Sequence, residues 1–486
     1  MVSAELLKHV KKISPILWEI STSYKEGMLV PARIYATEHI LHEMDDRVFD
    51  QVTNVACLPG IQKYSYCMPD AHSGYGFPIG GVAAFDPETG IISPGGIGFD
   101  VNCGMRLVRT NLTLDEVKPH IKEIIDLLYK QVPAGVGSSG FIKLTREKLN
   151  DVAIHGAKWA VDNGFGWPED LAHIEENGAI KHADPSKVSE NAVKRGINQV
   201  GTLGSGNHYL EVQYAAEIFD KKTAAAFGFT KPNQIAIMVH CGSRGFGHQI
   251  GTDYLKYFLT VMPKYGISIR DRELACAPFK SPEGQNYYRA MACAANLGFA
   301  NRQVILHRIR EVFAQVFGKT AREMDMHLVY DVAHNIAKLE NHLVDGKMKE
   351  LLVHRKGATR CFGPNRDELS AEYKKTGQPV IIGGSMETGS YLLVGTNKSD
   401  EETFGSTMHG AGRTMSRTEA KRQVNGAQLQ KEMLEHGIYV KAVSMQGLAE
   451  EAGIAYKDIN EVVETMDIAG ISKKVIQLKP IGNVKG

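Results

Sequence analysis

The 486-residue chain is 43% hydrophobic and 23% charged, enough for a large buried core and, on length alone, about three average domains. Its 56 basic residues nearly balance 55 acidic ones, a formal net charge of +1 that excludes a polybasic protein coating nucleic acid by charge but leaves room for a local basic groove. Seven cysteines, an odd number with no CxxC pair, point to reduced thiols in a cytoplasmic protein.

Met1 to Ile20 interleaves lysines with apolar residues and reads as an amphipathic helix, without the apolar core and small-residue cleavage site of a signal peptide. No apolar run approaches the ~20 residues that span a bilayer, so no membrane partner is expected. Short strand-type runs follow at Met28 to Tyr35, Val52 to Leu58 and Gly80 to Phe85. Between the last two, proline, aspartate and glycines make Met68 to Gly76 a loop that carries Asp70. The stretch Ser93-Pro-Gly-Gly-Ile-Gly-Phe-Asp-Val-Asn-Cys-Gly-Met-Arg106 crowds glycines around Asp100 and Cys103, one hard and one soft metal ligand on a single turn. A strand around Arg106 to Thr110 and a helix from about Leu114 to Tyr129 come next.

Residues 144 to 200 are polar and helical in pattern, a candidate insertion over the core. Gly201 to Glu211 is glycine-rich and holds His208. Ile235 to His240 is a buried-type strand ending on a histidine, and helical pattern covers Gln249 to Leu259 and Tyr287 to Phe317. A strand at Leu328 to Tyr330 leads to His334, and further strands fall at Glu350 to His354, Val380 to Ile382 and Tyr391 to Val394. His409-Gly-Ala-Gly-Arg413 precedes a basic helix from about Ser416 to Glu435 and a last helix from about Asp458 to Met466. The elements alternate without a βαβ rhythm, which points to an α+β fold of irregular mixed sheets with surrounding helices.

Asp100, Cys103, His208, His240 and His334 share one setting, a strand end or a glycine-rich turn. One carboxylate, one thiolate and three imidazoles suffice for two divalent ions if the thiolate bridges. The softness of sulfur points to Zn²⁺, and carboxylate and phosphate oxygens point to Mn²⁺ or Mg²⁺. Glycines around Gly206, Gly383-Gly384 and Gly410 to Gly412 can offer backbone amides to phosphate oxygens. The usual nucleotide signatures fail: Gly318-Lys319-Thr320 ends a helix and has Phe313 where a P-loop needs glycine, and no K-x-D-G lysine is present. A covalent nucleotide would need another nucleophile, and His409, framed by Met408 and Gly410, is the candidate.

Together Pro69-Asp-Ala-His-Ser-Gly-Tyr-Gly-Phe-Pro-Ile-Gly-Gly, Gly98-Phe-Asp-Val-Asn-Cys-Gly-Met-Arg, Gly204-Ser-Gly-Asn-His, His240-Cys-Gly-Ser-Arg-Gly, Asp331-Val-Ala-His-Asn and His409-Gly-Ala-Gly-Arg give the chain a specific resemblance. It resembles the RtcB-type RNA-splicing ligases, of the long archaeal and eukaryotic sort, over almost its whole length. The resemblance implies one catalytic domain over residues 1–486, with a helical insertion at about 144–200. It implies a GTP-dependent enzyme with two Mn²⁺ ions that joins RNA 2′,3′-cyclic phosphate or 3′-phosphate ends to 5′-hydroxyl ends, as in tRNA halves, with archease as a protein partner. Asp100, Cys103, His208, His240 and His334 would be the metal ligands, with Cys103 bridging, and His409 would carry GMP. The guanine nucleotide would lie against Asn207, His208, Tyr209, Leu210, Glu211, His334, Asn335, Gly383, Gly384, Ser385, Met386, Ser390, His409, Gly410, Ala411, Gly412, Tyr456 and Lys485. Asp70 would orient or deprotonate the 5′-hydroxyl, with a simple Asx-turn as its plainer use. By charge, Arg244, Arg413, Arg417, Lys421 and Arg422 are candidates to meet RNA phosphates, with a solvated helix face as the alternative for Arg417 to Arg422. Two competing readings stay open: a metal-dependent phosphoesterase, needing the ligands but not His409, and a non-catalytic RNA-binding protein, needing only the groove.

Overall fold

A computed structural model describes residues 2–486. Two large, mainly antiparallel sheets form its frame, as expected of an α+β fold. The first runs Val10–Ser14, Leu17–Ile20, Ala32–Tyr35, Ser65–His72, Ile79–Phe85, Lys347–Lys356 and Asn335–Val344, hydrogen-bonded in that order. The second runs Leu328–Ala333, Gly104–Thr113, Gln234–Cys241, Tyr209–Ile218, Ser472–Lys485, Ser390–Gly395 and Pro379–Ile382, with Tyr439–Ala442 added in parallel to Ser472–Lys485. The chain leaves the second sheet at Ala333 and enters the first at Asn335, so His334 sits at the corner between them.

One face of the second sheet is covered by the helix Pro282–Phe317, 36 residues long and buried on nearly every side through its middle. Ala290, Ala292, Ala294 and Ala295 let its neighbours approach closely, and an apolar helix surface all round is what a central position requires. The helices Arg146–His155, Ala157–Asp162 and Glu190–Gly196 pack around that helix, and Leu149, Val152, Trp159 and Val193 join the same core. Residues 144 to 200 thus hold these three helices joined by short 3₁₀ turns and loops, and they extend the core.

Four sequence expectations are corrected. Residues up to Ile20 form one helical turn, Ala4–Leu7, and then a hairpin pairing Val10 with Ile20. Pro15 and the β-branched Val10, Ile13 and Ile16 oppose a helix, and Leu17, Trp18 and Ile20 bury instead. Val52 to Leu58 is largely the end of a helix, Asp46–Val55, started by the Asp45 carboxylate accepting from the Arg47 amide. Its Val48, Phe49, Val52 and Val55 keep helical spacing once the reading begins at residue 46. Most of the stretch read as a loop at Met68 to Gly76 is strand: Ser65–His72 carries Pro69 and Asp70. Proline is tolerated there because pairing with Ile79–Phe85 is irregular between Cys67 and His72. The basic helix divides into Arg417–Gln423 and Gly426–Glu435, because Val424 is extended and the Asn425 side chain caps the second helix. The strands Asn335–Val344 and Ser472–Lys485 carry no turn signal or clean alternation that marked them beforehand.

None of the seven cysteines is paired, and no helix among the described residues is long and apolar enough to cross a membrane.

Candidate active site

Register brings the ligand-type residues together. Gly104 lies opposite both Cys241 and Ala333, and His240 opposite both Met105 and Tyr209. Cys103, His208, His240 and His334 therefore fall at one end of neighbouring strands. Asp100 joins them through a turn in which the Cys103 amide donates to the Asp100 carbonyl, with Asn102 in the left-handed region at φ 53°. The His334 amide donates to the Cys103 carbonyl at 2.8 Å and fixes the corner against that turn.

The donor atoms form two groups that share one sulfur. Asp100, Cys103 and His208 make the first: His208 Nε2 is 2.8 Å from Asp100 Oδ2 and 3.3 Å from Cys103 Sγ. Cys103, His240 and His334 make the second, with His240 Nε2 3.2 Å from both Cys103 Sγ and His334 Nε2. His208 Nδ1 donates to the Leu203 carbonyl at 2.9 Å and His240 Nδ1 to the Asn207 carbonyl at 3.0 Å. Those bonds turn both Nε2 atoms to the cluster, the orientation metal-bound histidines take, with His208 Nε2 set against the Asp100 carboxylate.

Burial, with the nearby His208 and His409 rings, holds His240 well below the usual histidine range, and burial with His409 and His240 does the same for His334. Both are thus neutral imidazoles. Burial works against ionisation of Asp100, but the bond and charge of His208, with the Arg244 charge and the Cys103 thiol, together hold the carboxyl below its usual range. Burial, helped by the Asp100 charge, pushes the Cys103 thiol up to about 11. Asp100 Oδ1 and His334 Nδ1 are buried without hydrogen-bond partners. Crowded donor atoms, an orphaned carboxylate oxygen and a buried thiol that a cation would ionise fit a pair of divalent ions.

His409 stands beside this cluster, its ring centroid 4.7 Å from that of His334. It follows the strand Ser406–Met408, and Asp70 comes to it from the first sheet. Asp70 Oδ2 accepts from His409 Nδ1 at 2.6 Å, from the His409 amide at 3.0 Å and from the Gly410 amide at 3.3 Å. The carboxylate is fully buried behind the ring, so it holds His409 with Nε2 free. Asp70 Oδ2 and the histidine are thus engaged with one another, while Asp70 Oδ1 is buried without a partner. Lys457 secures the strand on either side of Asp70, its ammonium donating to the Pro69 and Ala71 carbonyls at 2.9 and 2.7 Å. Burial lowers the Lys457 ammonium to about 8.

A cavity of about 560 Å³ opens at His240 and His409. Asn207, Tyr209, Gly383, Gly384, Ser385, Met386, Gly410, Ala411, Gly412, Tyr456 and Lys485 of the expected nucleotide set line it. The Ala411 amide donates to the Gly383 carbonyl at 3.1 Å, so the two glycine-rich segments form one wall. Gly412 has φ 72°, and a Cβ there would collide with the Asp70 carbonyl. Five expected residues sit elsewhere. Leu210 points to the opposite face of its strand, into the core. Asn335 is spent between the Asp100 carbonyl and the Gly357 amide. Ser390 accepts from Gln213, and His208 and His334 lie behind the wall in the ligand cluster. Glu211 is buried next to the wall, bonded to Gln213 and Asn483, and burial pushes its carboxyl up to about 7.

Arg413 and Arg417 each approach Glu451 Oε1 at 3.3 Å, Lys421 pairs with Glu450 at 2.8 Å, and Arg422 with Glu419 at 3.8 Å. The expected basic face is therefore largely neutralised by acids of its own surroundings. Arg244 donates to Thr202 Oγ1 and to the Gly135 carbonyl, both at 3.3 Å. Three residues that matter were not found from the sequence: Lys457, Glu451 and Arg302. Arg302, fully buried on the long helix, donates to the carbonyls of Asn102 and Cys241 at 2.8 and 2.7 Å and to the Asp331 carboxylate. It thus ties together the turns bearing Cys103, His240 and His334; the polar run Asn301-Arg302-Gln303 within the long apolar helix pattern was its one signal.

Comparison with known proteins adds to this geometry. A family profile described as tRNA-splicing ligase RtcB matches residues 51–486. The protein is 53% identical over 477 residues to a tRNA-splicing ligase RtcB of Methanococcus maripaludis, covering 98% of this chain and 99% of the relative. Identity is 53% over 478 residues with the protein of that name from Thermococcus kodakarensis, and 52% over 477 with that from Archaeoglobus fulgidus, with the same coverage in both cases. The strand ends that gather Cys103, His240 and His334, the wall of glycines and the histidine facing them are set in a chain that belongs to the RtcB family of tRNA-splicing ligases.

Proposed function

We propose that this protein is a cytoplasmic RNA ligase that uses GTP and Mn²⁺ to join 2′,3′-cyclic phosphate or 3′-phosphate ends to 5′-hydroxyl ends, tRNA halves among them. The observation that carries the reading is His409, bonded through Nδ1 to a buried carboxylate and free at Nε2, beside two ligand groups that share Cys103. Asp100, Cys103 and His208 would hold one ion, and Cys103, His240 and His334 the other. When bound, such ions neutralise phosphate charge and polarise phosphoryl oxygens.

His409 Nε2 attacks the α-phosphorus of GTP, a P–N bond forms and pyrophosphate leaves. The Asp70 carboxylate balances the positive charge that grows on the ring. An oxygen of the RNA 3′-phosphate then takes GMP from His409 and restores the imidazole, and the 5′-hydroxyl displaces GMP in line to close the phosphodiester. A cyclic phosphate is first opened by water. The glycine wall of Gly383, Gly384, Gly410 and Gly412 would leave room for the phosphate chain, and Lys485 and Tyr456, with Glu211 buried beside the wall, would hold the guanine. Archease, implied by the resemblance, would assist the first step.

Incubation with α-labelled GTP and Mn²⁺ tests the reading. The unsubstituted protein should form an acid-labile, alkali-stable adduct, and His409→Ala should bind GTP and Mn²⁺ without forming it. Undiminished labelling of His409→Ala, or GMP found on a lysine by mass spectrometry, would overturn it.

A further inference from the structure

Phe99 directly precedes Asp100 and belongs to a row of rings that the chemistry above does not use. Its centroid is 5.1 Å from that of Tyr75 on one side and 5.3 Å from that of His248 on the other, with interplanar angles of 58° and 32°. Arg195 Nη1 approaches His248 Nδ1 at 3.4 Å and ends the row with a positive charge. Tyr75 and Phe99 are half-buried, and His248 and Arg195 are exposed. The row is firmly seated: Phe99 packs over Gly251, and the Tyr75 carbonyl accepts from the buried Lys356 ammonium.

None of these four residues lines the cavity that holds His409, and neither does Asp100. Yet the Asp100 side chain is 26% exposed against 5% for its partner His208. The ligand cluster thus also comes to the surface on the Asp100 side, next to the aromatic row. A strand end placed there would have its phosphate at the cluster and its terminal base over the rings.

Single-stranded ends present unstacked bases, which proteins recognise by stacking on aromatic and arginine planes. Such stacking tolerates every base, since each has a π-face, and a guanidinium at the end of the row can meet a backbone phosphate. We propose that Tyr75, Phe99, His248 and Arg195 form the stacking platform for the terminal base of the RNA strand whose 3′-phosphate reaches the cluster at Asp100. This inference rests on the ligase reading and names a subsite for its substrate.

The test uses the full-length, Mn²⁺-loaded protein and a fluorescent single-stranded 10-mer RNA ending in 3′-phosphate, read by anisotropy. A second 10-mer is identical but abasic at its 3′-terminal nucleotide. The unsubstituted protein should bind the intact oligomer about 10-fold more tightly than the abasic one. Tyr75→Leu and His248→Leu, both away from the ligand turn, should bring the intact oligomer down towards the abasic value. Neither should change binding of the abasic one, and Phe99→Leu should abolish the preference. Equal affinity for the two oligomers in the unsubstituted protein overturns the proposal. So does a preference that survives all three substitutions, or an equal loss for both oligomers, which would mark the row as a structural edge of the core. A preference seen only with 5′-hydroxyl strands abasic at their first nucleotide also overturns it. GMP labelling of the same preparation is measured in parallel. Its absence defeats the ligase reading, while base preference, which requires no adduct, judges the platform separately.

Discussion

Replacing Asp70 separates two roles of one carboxylate. Three donors converge on Oδ2, namely His409 Nδ1 and the amides of His409 and Gly410, while Oδ1 is buried without a partner. In Asp70→Asn the donors demand an acceptor at the same place, so the amide oxygen takes it and the NH₂ replaces the orphaned Oδ1. The ring keeps its tautomer and direction and loses the charge behind it, while the NH₂ takes the buried, unpartnered place of Oδ1. The difference between a charged and a neutral hydrogen bond is about 1–1.5 kcal/mol, which lowers guanylylation about 10-fold. In Asp70→Ala all three donors lose their acceptor and the ring is no longer aimed. The loss then rises to about 3–4 kcal/mol, or about 10²–10³-fold. Single-turnover labelling with α-labelled GTP at saturation reads both rates, and circular dichroism checks the fold. An alanine variant within 3-fold of the unsubstituted rate would refute the aiming role. An asparagine variant as slow as alanine would refute the inferred amide orientation.

Cys103→Ala removes the one atom common to both ligand groups, so bound Mn²⁺ should fall from two equivalents to one or none with the thermal transition preserved; elemental analysis showing two ions would contradict a bridging thiolate. Asp331 is fully buried between Arg106 and Arg302, at 2.6 Å from each, and Asp331→Ala leaves two guanidiniums uncompensated. It should destabilise the fold by about 3–5 kcal/mol in urea titration, and a loss below about 1 kcal/mol would contradict that account. Burial pushes the Asp400 carboxyl up from 3.8 to about 6, against the pull of Arg366. The folded state therefore holds this proton more tightly than the unfolded chain, and stability is lost as pH rises from about 4 through 6. Asp400→Asn should gain about 1–2 kcal/mol at pH 7.5 and close to nothing at pH 4, because its amide oxygen can still accept from the Gly363 amide. A gain of equal size at both pH values would show that ionisation is not the cause.

The five ligand-type residues were legible because glycine-rich turns and strand ends mark where backbone must bend sharply and side chains converge. His409 drew attention for the same reason, and it lies at a cavity lined by most of the residues expected around a nucleotide. Asp70 was noticed, but the strand that bears it was not. Its strand looks like a loop because Pro69 and the following glycines break the pattern, and only long-range pairing shows that the carboxylate faces a histidine 339 residues later. Leu210 went astray for a reason of period: alternation along Tyr209–Ile218 sends its side chain to the face opposite Tyr209 and Glu211. The paired acids Glu450 and Glu451 were invisible as partners of the basic helix, because nothing local brings residue 451 to residue 417.

The place of Ser472–Lys485 in the middle of the second sheet has a kinetic consequence. Its neighbours, Tyr209–Ile218 and Ser390–Gly395, are both made earlier during synthesis, and each keeps a bare edge until this strand arrives between them. Lys485 and Asn483 ride on the strand, so the cavity wall and the sheet are completed in one event. Contacts this distant in sequence form slowly, and a nascent chain waiting for them exposes apolar strand edges to other chains. Refolding from denaturant at rising protein concentration should therefore divide between active enzyme and aggregate according to how quickly this last strand docks.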